Sequence, residues 1–65
     1  MALETEEYAV TAEVAKRYRV PEATVRYWRH IGYGPASVKV GRRVLYPLNE
    51  LETFDRKLRE ASSRI

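Results

Sequence analysis

The chain has 65 residues, of which 45% are hydrophobic, and its 12 Lys and Arg against 9 Asp and Glu give a formal net charge of +3. This length permits one small domain without a sizeable catalytic cleft, and the lack of cysteine excludes disulfides, thiolate metal sites and a thiol nucleophile. The single histidine, His30, cannot build a metal site by itself, and no apolar run approaches the length of a membrane span.

The first predicted helix follows an acidic segment. Residues 1–7, MALETEE, form a lead-in that we expect to be disordered. Thr11 has a side chain suited to a helix N-cap, and Glu13 in the first turn complements the helix dipole. The apolar residues that follow at helical spacing are Val14, Ala15 and Tyr18. This pattern predicts a helix over about residues 11–18.

A second helix is predicted after a tight turn. Pro21 has no backbone N–H with which to continue the first helix, but its fixed φ suits the start of a new one. We expect a turn at Arg19 and Val20, then a helix from about residue 21 to 31 that Gly32 stops. A helical wheel places on the core side Thr24, Val25, Trp28 and Ile31. On the outer side and its flanks it places Glu22, Ala23, Arg26, His30, Tyr27 and Arg29. These features predict a helix-turn-helix.

A β-hairpin is predicted next. Gly and Pro at residues 34–35 break the chain, and from residue 36 the apolar period is two. The alternating apolar residues are Val38, Val40, Val44 and Tyr46. They share one face only if the loop has three residues, 41–43, because a two-residue turn would set Lys39 opposite Val44. We therefore expect a three-residue loop with two arginines at the tip, which is the wing of a winged helix-turn-helix.

The last predicted element is a helix. Pro47 ends the second strand, Asn49 is the expected N-cap, and Glu52 would complete a capping box. The buried stripe of this helix is predicted to be Leu48, Leu51, Phe54 and Leu58. The chain is thus expected to be a mainly α winged helix-turn-helix over residues 8–61, with a two-stranded wing and a tail at residues 62–65.

Positive charge concentrates in the middle of the chain. Residues 16–43 carry eight Lys and Arg against the single acid Glu22, whereas residues 1–15 carry four Glu and no base. Residues 44–65 balance four bases with four acids. A basic block interleaved with aromatic residues is typical of a phosphate-facing surface. The alternative is a solvated basic face without a partner.

The outward positions of the second helix are the candidates for reading bases in the major groove. Arg26 can fork onto a guanine, Glu22 can accept from a cytosine amino group, and Ala23 permits contact with a thymine methyl group. The alternatives are a phosphate contact for Arg26 and a helix-dipole role for Glu22. The full predicted DNA-binding set is Glu22, Ala23, Thr24, Arg26, Tyr27, Arg29, Lys39, Arg42, Arg43, Lys16, Arg17 and Arg19. In this set Tyr27 and Arg29 are assigned to phosphates.

Two segments resemble a known family. Residues 23–35, ATVRYWRHIGYGP, resemble the recognition helix and following turn of the MerR-type winged helix-turn-helix superfamily. Residues 38–54, VKVGRRVLYPLNELETF, resemble the wing and last helix of its small excisionase-like branch, found in actinobacteria and their phages. The likeness covers about residues 8–60. It implies that the second helix enters the major groove and the wing enters the minor groove. The positions that match family contacts are Glu22, Ala23, Thr24, Arg26, Tyr27, Arg42 and Arg43.

The resemblance also implies a biological role. Excisionases of this branch are recombination directionality factors, which bind side by side, bend attachment-site DNA and steer a phage integrase toward excision. The expected partners are therefore double-stranded DNA, an integrase and adjacent copies of the chain, in the cytoplasm of a bacterial host. We expect no enzymatic activity, cofactor, metal or membrane association. The alternatives are a small MerR-like transcriptional regulator and a protein-interaction module whose last helix binds a partner.

Overall fold

Three helices pack beside a small antiparallel sheet in the computed structural model, which describes residues 7–62. In chain order the elements are β1 (Tyr8–Val10), α1 (Thr11–Tyr18), α2 (Glu22–Ile31), β2 (Val38–Val40), β3 (Arg43–Pro47) and α3 (Leu48–Ser62). The strands lie in the order β1-β3-β2. This is the predicted winged helix-turn-helix architecture. Residues 1–6 of the predicted lead-in and 63–65 of the predicted tail lie outside the described residues, and Ser62, predicted to begin the tail, is the last residue of α3.

The sheet has three strands rather than the two that were predicted. β1 pairs with β3, so that Ala9 lies opposite Tyr46. Just before β1, the carbonyl of Glu7 accepts the backbone N–H of Leu48 at 2.9 Å. Glu7, the last residue of the predicted lead-in, is thereby held against the start of α3. A strand of three residues is too short to show an apolar period, which is why no sequence pattern predicted β1.

The turn between α1 and α2 is built by backbone hydrogen bonds. Arg19 adopts the left-handed conformation (φ 60°, ψ 44°), and the next amide, that of Val20, donates to the carbonyl of Ala15 at 3.0 Å. This is a Schellman motif, here without the usual glycine. Pro21 occupies the N-cap position of α2, so that the helix begins at Glu22, one residue after the predicted start. At the other end Gly32 (φ 74°) stops α2, as predicted.

The predicted N-caps of α1 and α3 are wrong. Thr11 is already the first residue of α1, because β1 runs directly into the helix, and the amide of Val10 donates instead to Glu13 Oε1 at 3.0 Å. α3 likewise begins before Asn49, at Leu48. Its first amide donates to the Glu7 carbonyl, which satisfies one of the N–H groups that have no partner within the helix.

The predicted three-residue hairpin loop is also wrong. Val40 pairs with Arg43 and Lys39 with Val44, which leaves a two-residue turn at Gly41 and Arg42. Gly41 has φ 60° at the first central position, as a type II′ turn requires. The prediction failed because it assumed one buried face for all four alternating apolar residues. In the structure β3 buries Tyr46, whereas both valines of β2 are exposed.

The core lies where α1, α2, β3 and α3 meet. Its fully or nearly buried members are Val14, Ala15, Val25, Tyr46 and Leu51. A cluster of edge-to-face and tilted rings extends it, with centroids 5.5 to 6.1 Å apart, and consists of Tyr18, Trp28, Tyr33 and Phe54. The core position of Trp28 is therefore confirmed. In the predicted stripe of α3, Leu51 and Phe54 are buried, while Leu48 and Leu58 are half-buried. The core position of Ile31 is wrong: this side chain is 52% exposed, since it lies about 120° around the helix from Val25.

Candidate nucleic-acid interface

α2 presents an outward surface formed by residues that the wheel placed there. Pro21 ends the turn before the helix, and the exposed residues that the wheel placed on its outer side are Glu22, Ala23, Arg26, Tyr27 and His30. Arg26 Nη1 lies 3.4 Å from Glu22 Oε1, with about half of each side chain exposed. A carboxylate one turn before a guanidinium forms a weak pair, which a stronger ligand can replace. The two groups that were predicted to read a base pair are thus adjacent and accessible.

The wing presents a second basic surface. Arg42 lies in the two-residue turn, and Arg43 is the first residue of β3, so the two arginines occupy the hairpin end as a turn residue and a strand residue. Lys39 faces away from the valines of β2, opposite Val44. All three basic side chains of the hairpin belong to exposed residues.

Arg29 lies on the inner side of α2, about 40° from Val25 around the helix. Its Nη1 donates to Thr11 Oγ1 at 3.2 Å and to the hydroxyl of Tyr46 at 3.1 Å. The guanidinium therefore links α2 to the start of α1 and to β3. The predicted phosphate contact stays a prediction, and the structure adds an internal role. Sequence reasoning missed this role because the partners lie 17 and 18 residues away in the chain.

Arg17 is joined to α3. Its Nη2 lies 2.5 Å from Asp55 Oδ2, and the hydroxyl of Tyr18 donates to the other carboxylate oxygen at 2.7 Å. Burial favours the protonated form of Asp55, but the hydrogen bonds from Tyr18 and Arg17 outweigh it and lower the pKa of this carboxyl. Burial and the hydrogen bond to Asp55 raise the pKa of Tyr18 to about 12. A pairing across 38 residues gave no signal in the sequence.

The twelve predicted DNA-binding residues thus fall into groups by position. The residues on the exposed surface of α2 are Glu22, Ala23, Arg26 and Tyr27, while Thr24 beside them is half-buried. The hairpin supplies Lys39, Arg42 and Arg43. Exposed residues of α1 and of the turn after it are Lys16 and Arg19. The two that also make contacts inside the domain are Arg17 and Arg29.

Comparison with known proteins gives one match. The family model described as a helix-turn-helix domain matches residues 11–59. No curated protein and no solved structure matches the chain. Between residues 7 and 62, no helix is long and apolar enough to cross a membrane. The same part of the chain holds no group of three or more His, Cys, Asp or Glu side chains placed to bind a metal ion.

Proposed function

The chain belongs to the helix-turn-helix domain family matched over residues 11–59, and on this premise we propose that it is a sequence-preferring DNA-binding protein that acts as a phage excisionase. Several copies would bind side by side on attachment-site DNA, bend it and direct an integrase toward excision. The role is one of binding, with no catalytic step. The observation that carries the DNA-binding part is the exposed pair of Glu22 and Arg26 on the outward surface of α2.

α2 has the dimensions of a major-groove helix. Its ten residues make it about 15 Å long, and the groove is about 12 Å wide. Arg26 would donate to O6 and N7 of a guanine, and Glu22 would accept from the amino group of a cytosine nearby. The guanine contact would contribute about 1–3 kcal/mol of discrimination. On binding, each side chain would exchange its 3.4 Å partner within the protein for a base.

The wing would contact the adjacent minor groove and its phosphates. Arg42 and Arg43 lie at the hairpin end, and Lys39 adds a positive charge on the face of the hairpin opposite to that of Arg43. Phosphate contacts release counterions from the DNA, so that the affinity would fall steeply with salt concentration. Such contacts would fix the register of α2 on the duplex without reading the sequence.

The excisionase role rests on the resemblance of residues 23–35 and 38–54 to that branch and on the size of the domain. One small module covers only about 600–1,000 Å² on DNA, so a single copy gives modest affinity. Adjacent copies would add their contacts, and these would offset a bending cost of order 1–6 kcal/mol for a short site. A transcriptional regulator of the same fold would use the same α2 and wing contacts.

The first experiment is the selection of bound duplexes from a random DNA pool at near-physiological salt, followed by sequencing. We expect enriched motifs in closely spaced direct repeats, which side-by-side copies require. Inverted repeats would instead indicate a two-fold dimer and a conventional regulator. A pool without enrichment would contradict sequence-preferring binding altogether.

The second experiment is an excision assay with an integrase and attachment-site DNA. Arg26→Ala and Arg42→Ala should abolish or strongly reduce excision, because they remove a base contact and a wing contact. Arg56→Ala is the matched control, since this arginine is exposed on α3 and lies outside the proposed interface. If Arg56→Glu abolished function while Arg26→Ala left it intact, the chain would be a protein-interaction module.

A further inference from the structure

At the edge of its outward surface, α2 carries an apolar residue that the DNA-contact predictions did not include. Ile31 is 52% exposed, and Tyr27 one turn earlier is 60% exposed. Within residues 7–62, Ile31 is not among the apolar side chains that pack against the core. Tyr33, which is also exposed, has its ring placed against Trp28 and Phe54. Ile31 therefore stands out as an apolar group of α2 whose position the core does not explain.

The exposed residues of α2 form two parallel rows. One row is polar, recurs every four residues and consists of Glu22, Arg26 and His30. The second row is less polar and contains Tyr27, about 100° around the helix from Arg26, and Ile31, about 100° around it from His30. Hydrogen-bonding groups and apolar groups are thus separated along the length of the same surface.

The major groove of DNA also presents polar groups and apolar groups at different positions. Base edges there present hydrogen-bond donors and acceptors, and thymine alone adds an apolar C5-methyl group. Given the proposed function, on which this inference rests, we propose that Ile31 is a specificity-determining residue that selects thymine by contact with its methyl group. Tyr27 lines the same row, and the polar row reads the hydrogen-bonding edges beside it.

The geometry predicts where this thymine lies. Ile31 is five residues after Arg26, or about 7.5 Å along the helix axis and about 140° around it. Base pairs are spaced by about 3.4 Å, so the selected thymine should lie about two or three base pairs from the guanine bound by Arg26. Ile31 is the last residue of α2, and the whole helix is only about 15 Å long, so both ends of its outward surface can lie within the groove.

The test uses the full chain and the DNA site selected from the random pool. Each thymine of the site is replaced in turn by deoxyuridine, which removes the methyl group and leaves every hydrogen-bonding group in place. We expect one position near the Arg26 guanine at which the change weakens wild-type binding roughly three- to fivefold, the effect of one methyl group returned to water. Ile31→Ala should bind the thymine and the deoxyuridine duplexes equally, and Ile31→Val should discriminate less than wild type.

Tyr8→Ala is the control, because Tyr8 is 49% exposed on β1, outside the α2 surface. It should keep the full thymine preference, and circular dichroism should show all variants folded. If deoxyuridine costs wild type nothing at every thymine, or if Ile31→Ala retains the preference, the inference is overturned while DNA binding stands. A selected site without a preferred thymine near the Arg26 guanine also overturns it. If no site is selected, the proposed function fails and the inference fails with it.

Discussion

Arg29 belongs to the basic residues 16–43, yet its side chain makes hydrogen bonds inside the domain that stabilise the fold. Its guanidinium donates to hydroxyl groups of Thr11 and Tyr46, and Tyr46 is only 1% exposed. Without Arg29, the Tyr46 hydroxyl would lose this donor at a site that water reaches poorly. A buried polar group left without a partner is more costly than the net gain from making its hydrogen bond.

Arg29→Ala should therefore lower the free energy of unfolding by about 1–3 kcal/mol, even without DNA. Urea unfolding followed by circular dichroism measures this effect. Arg26→Ala is the control, and because its side chain is about half exposed we expect a change within about 0.5 kcal/mol. If Arg29→Ala unfolds like wild type but binds DNA weakly, Arg29 would be a phosphate contact without a structural role.

Burial of the Tyr18 hydroxyl, together with its hydrogen bond to Asp55, makes stability depend on alkaline pH. The pKa of Tyr18 is raised from 10.0 to about 12. In the unfolded chain this hydroxyl ionises near its ordinary value, while the folded state keeps the proton up to about pH 12. Its contribution to stability is therefore complete below about pH 10 and is lost as the pH rises toward 12.

Tyr18→Phe removes this titration. Thermal unfolding of both proteins at a series of pH values should show wild type melting higher up to about pH 10, with the difference shrinking between about pH 10 and 12. A difference that stays constant across this range would show that Tyr18 ionises alike in both states. Ultraviolet absorbance of tyrosinate gives an independent reading, because the late-ionising component should disappear in the variant.

At the scale of single elements, the hairpin turn depends on one glycine. Gly41 has φ 60°, a region in which side-chain-bearing residues are strained, and no heavy atom lies within 4 Å of the position that its Cβ would take. Gly41→Ala should thus act through the backbone alone and lower the free energy of unfolding by about 1–2 kcal/mol. It should also weaken DNA binding, because the turn positions the wing arginines.

Arg42→Ala, at the neighbouring residue, distinguishes the effect on DNA binding from the effect on stability. It should weaken DNA binding while the urea-unfolding midpoint stays near wild type, since Arg42 is an exposed turn residue. An unchanged midpoint for Gly41→Ala would show that the turn accepts an ordinary residue and that the register is fixed elsewhere.

Elements that are defined by local sequence signals could be predicted, whereas an element that forms only through contacts between distant residues could not. α1 was predicted within its observed bounds and α2 within one residue, because apolar spacing, Pro21 and Gly32 are local signals. β1 has no local signal, since it forms only by pairing with β3, more than 30 residues later. The same contact brings the Glu7 carbonyl to the first amide of α3, which begins at Leu48, so that Asn49 lies inside the helix rather than at its N-cap.

The residues of the candidate site could likewise be predicted only where a local sequence pattern places them. The exposed residues of α2 could be placed from helical periodicity, because Val25 and Trp28 fix which side is buried. The internal hydrogen bonds of Arg17 and Arg29 could not be predicted in this way, because their partners lie on other elements. These partners are Asp55, Thr11 and Tyr46. Ile31 was misplaced for a geometric reason: it lies at the border between the two sides, where the wheel alone does not decide burial.

At the scale of the whole molecule, the positive charge of residues 16–43 is not all available to DNA. Arg17 is paired with Asp55, and Arg26 is in a weak pair with Glu22. The hairpin holds three bases and no acid between residues 38 and 47, so it carries a concentrated share of the positive surface. We therefore expect the wing to supply much of the salt-dependent affinity, and α2 to supply most of the discrimination between sequences.

This division predicts opposite behaviour for two Arg→Ala variants. Arg42→Ala should weaken binding alike on the selected site and on unrelated DNA, and it should reduce the slope of log affinity against log salt concentration by about 1. Arg26→Ala should cost about 1–3 kcal/mol on the selected site and little on unrelated DNA, with relaxed preference at one guanine. Fluorescence anisotropy titrations at several salt concentrations measure both quantities. If Arg26→Ala instead reduced the slope and weakened all duplexes equally, Arg26 would contact a phosphate, and the sequence preference would have to come from other residues of α2.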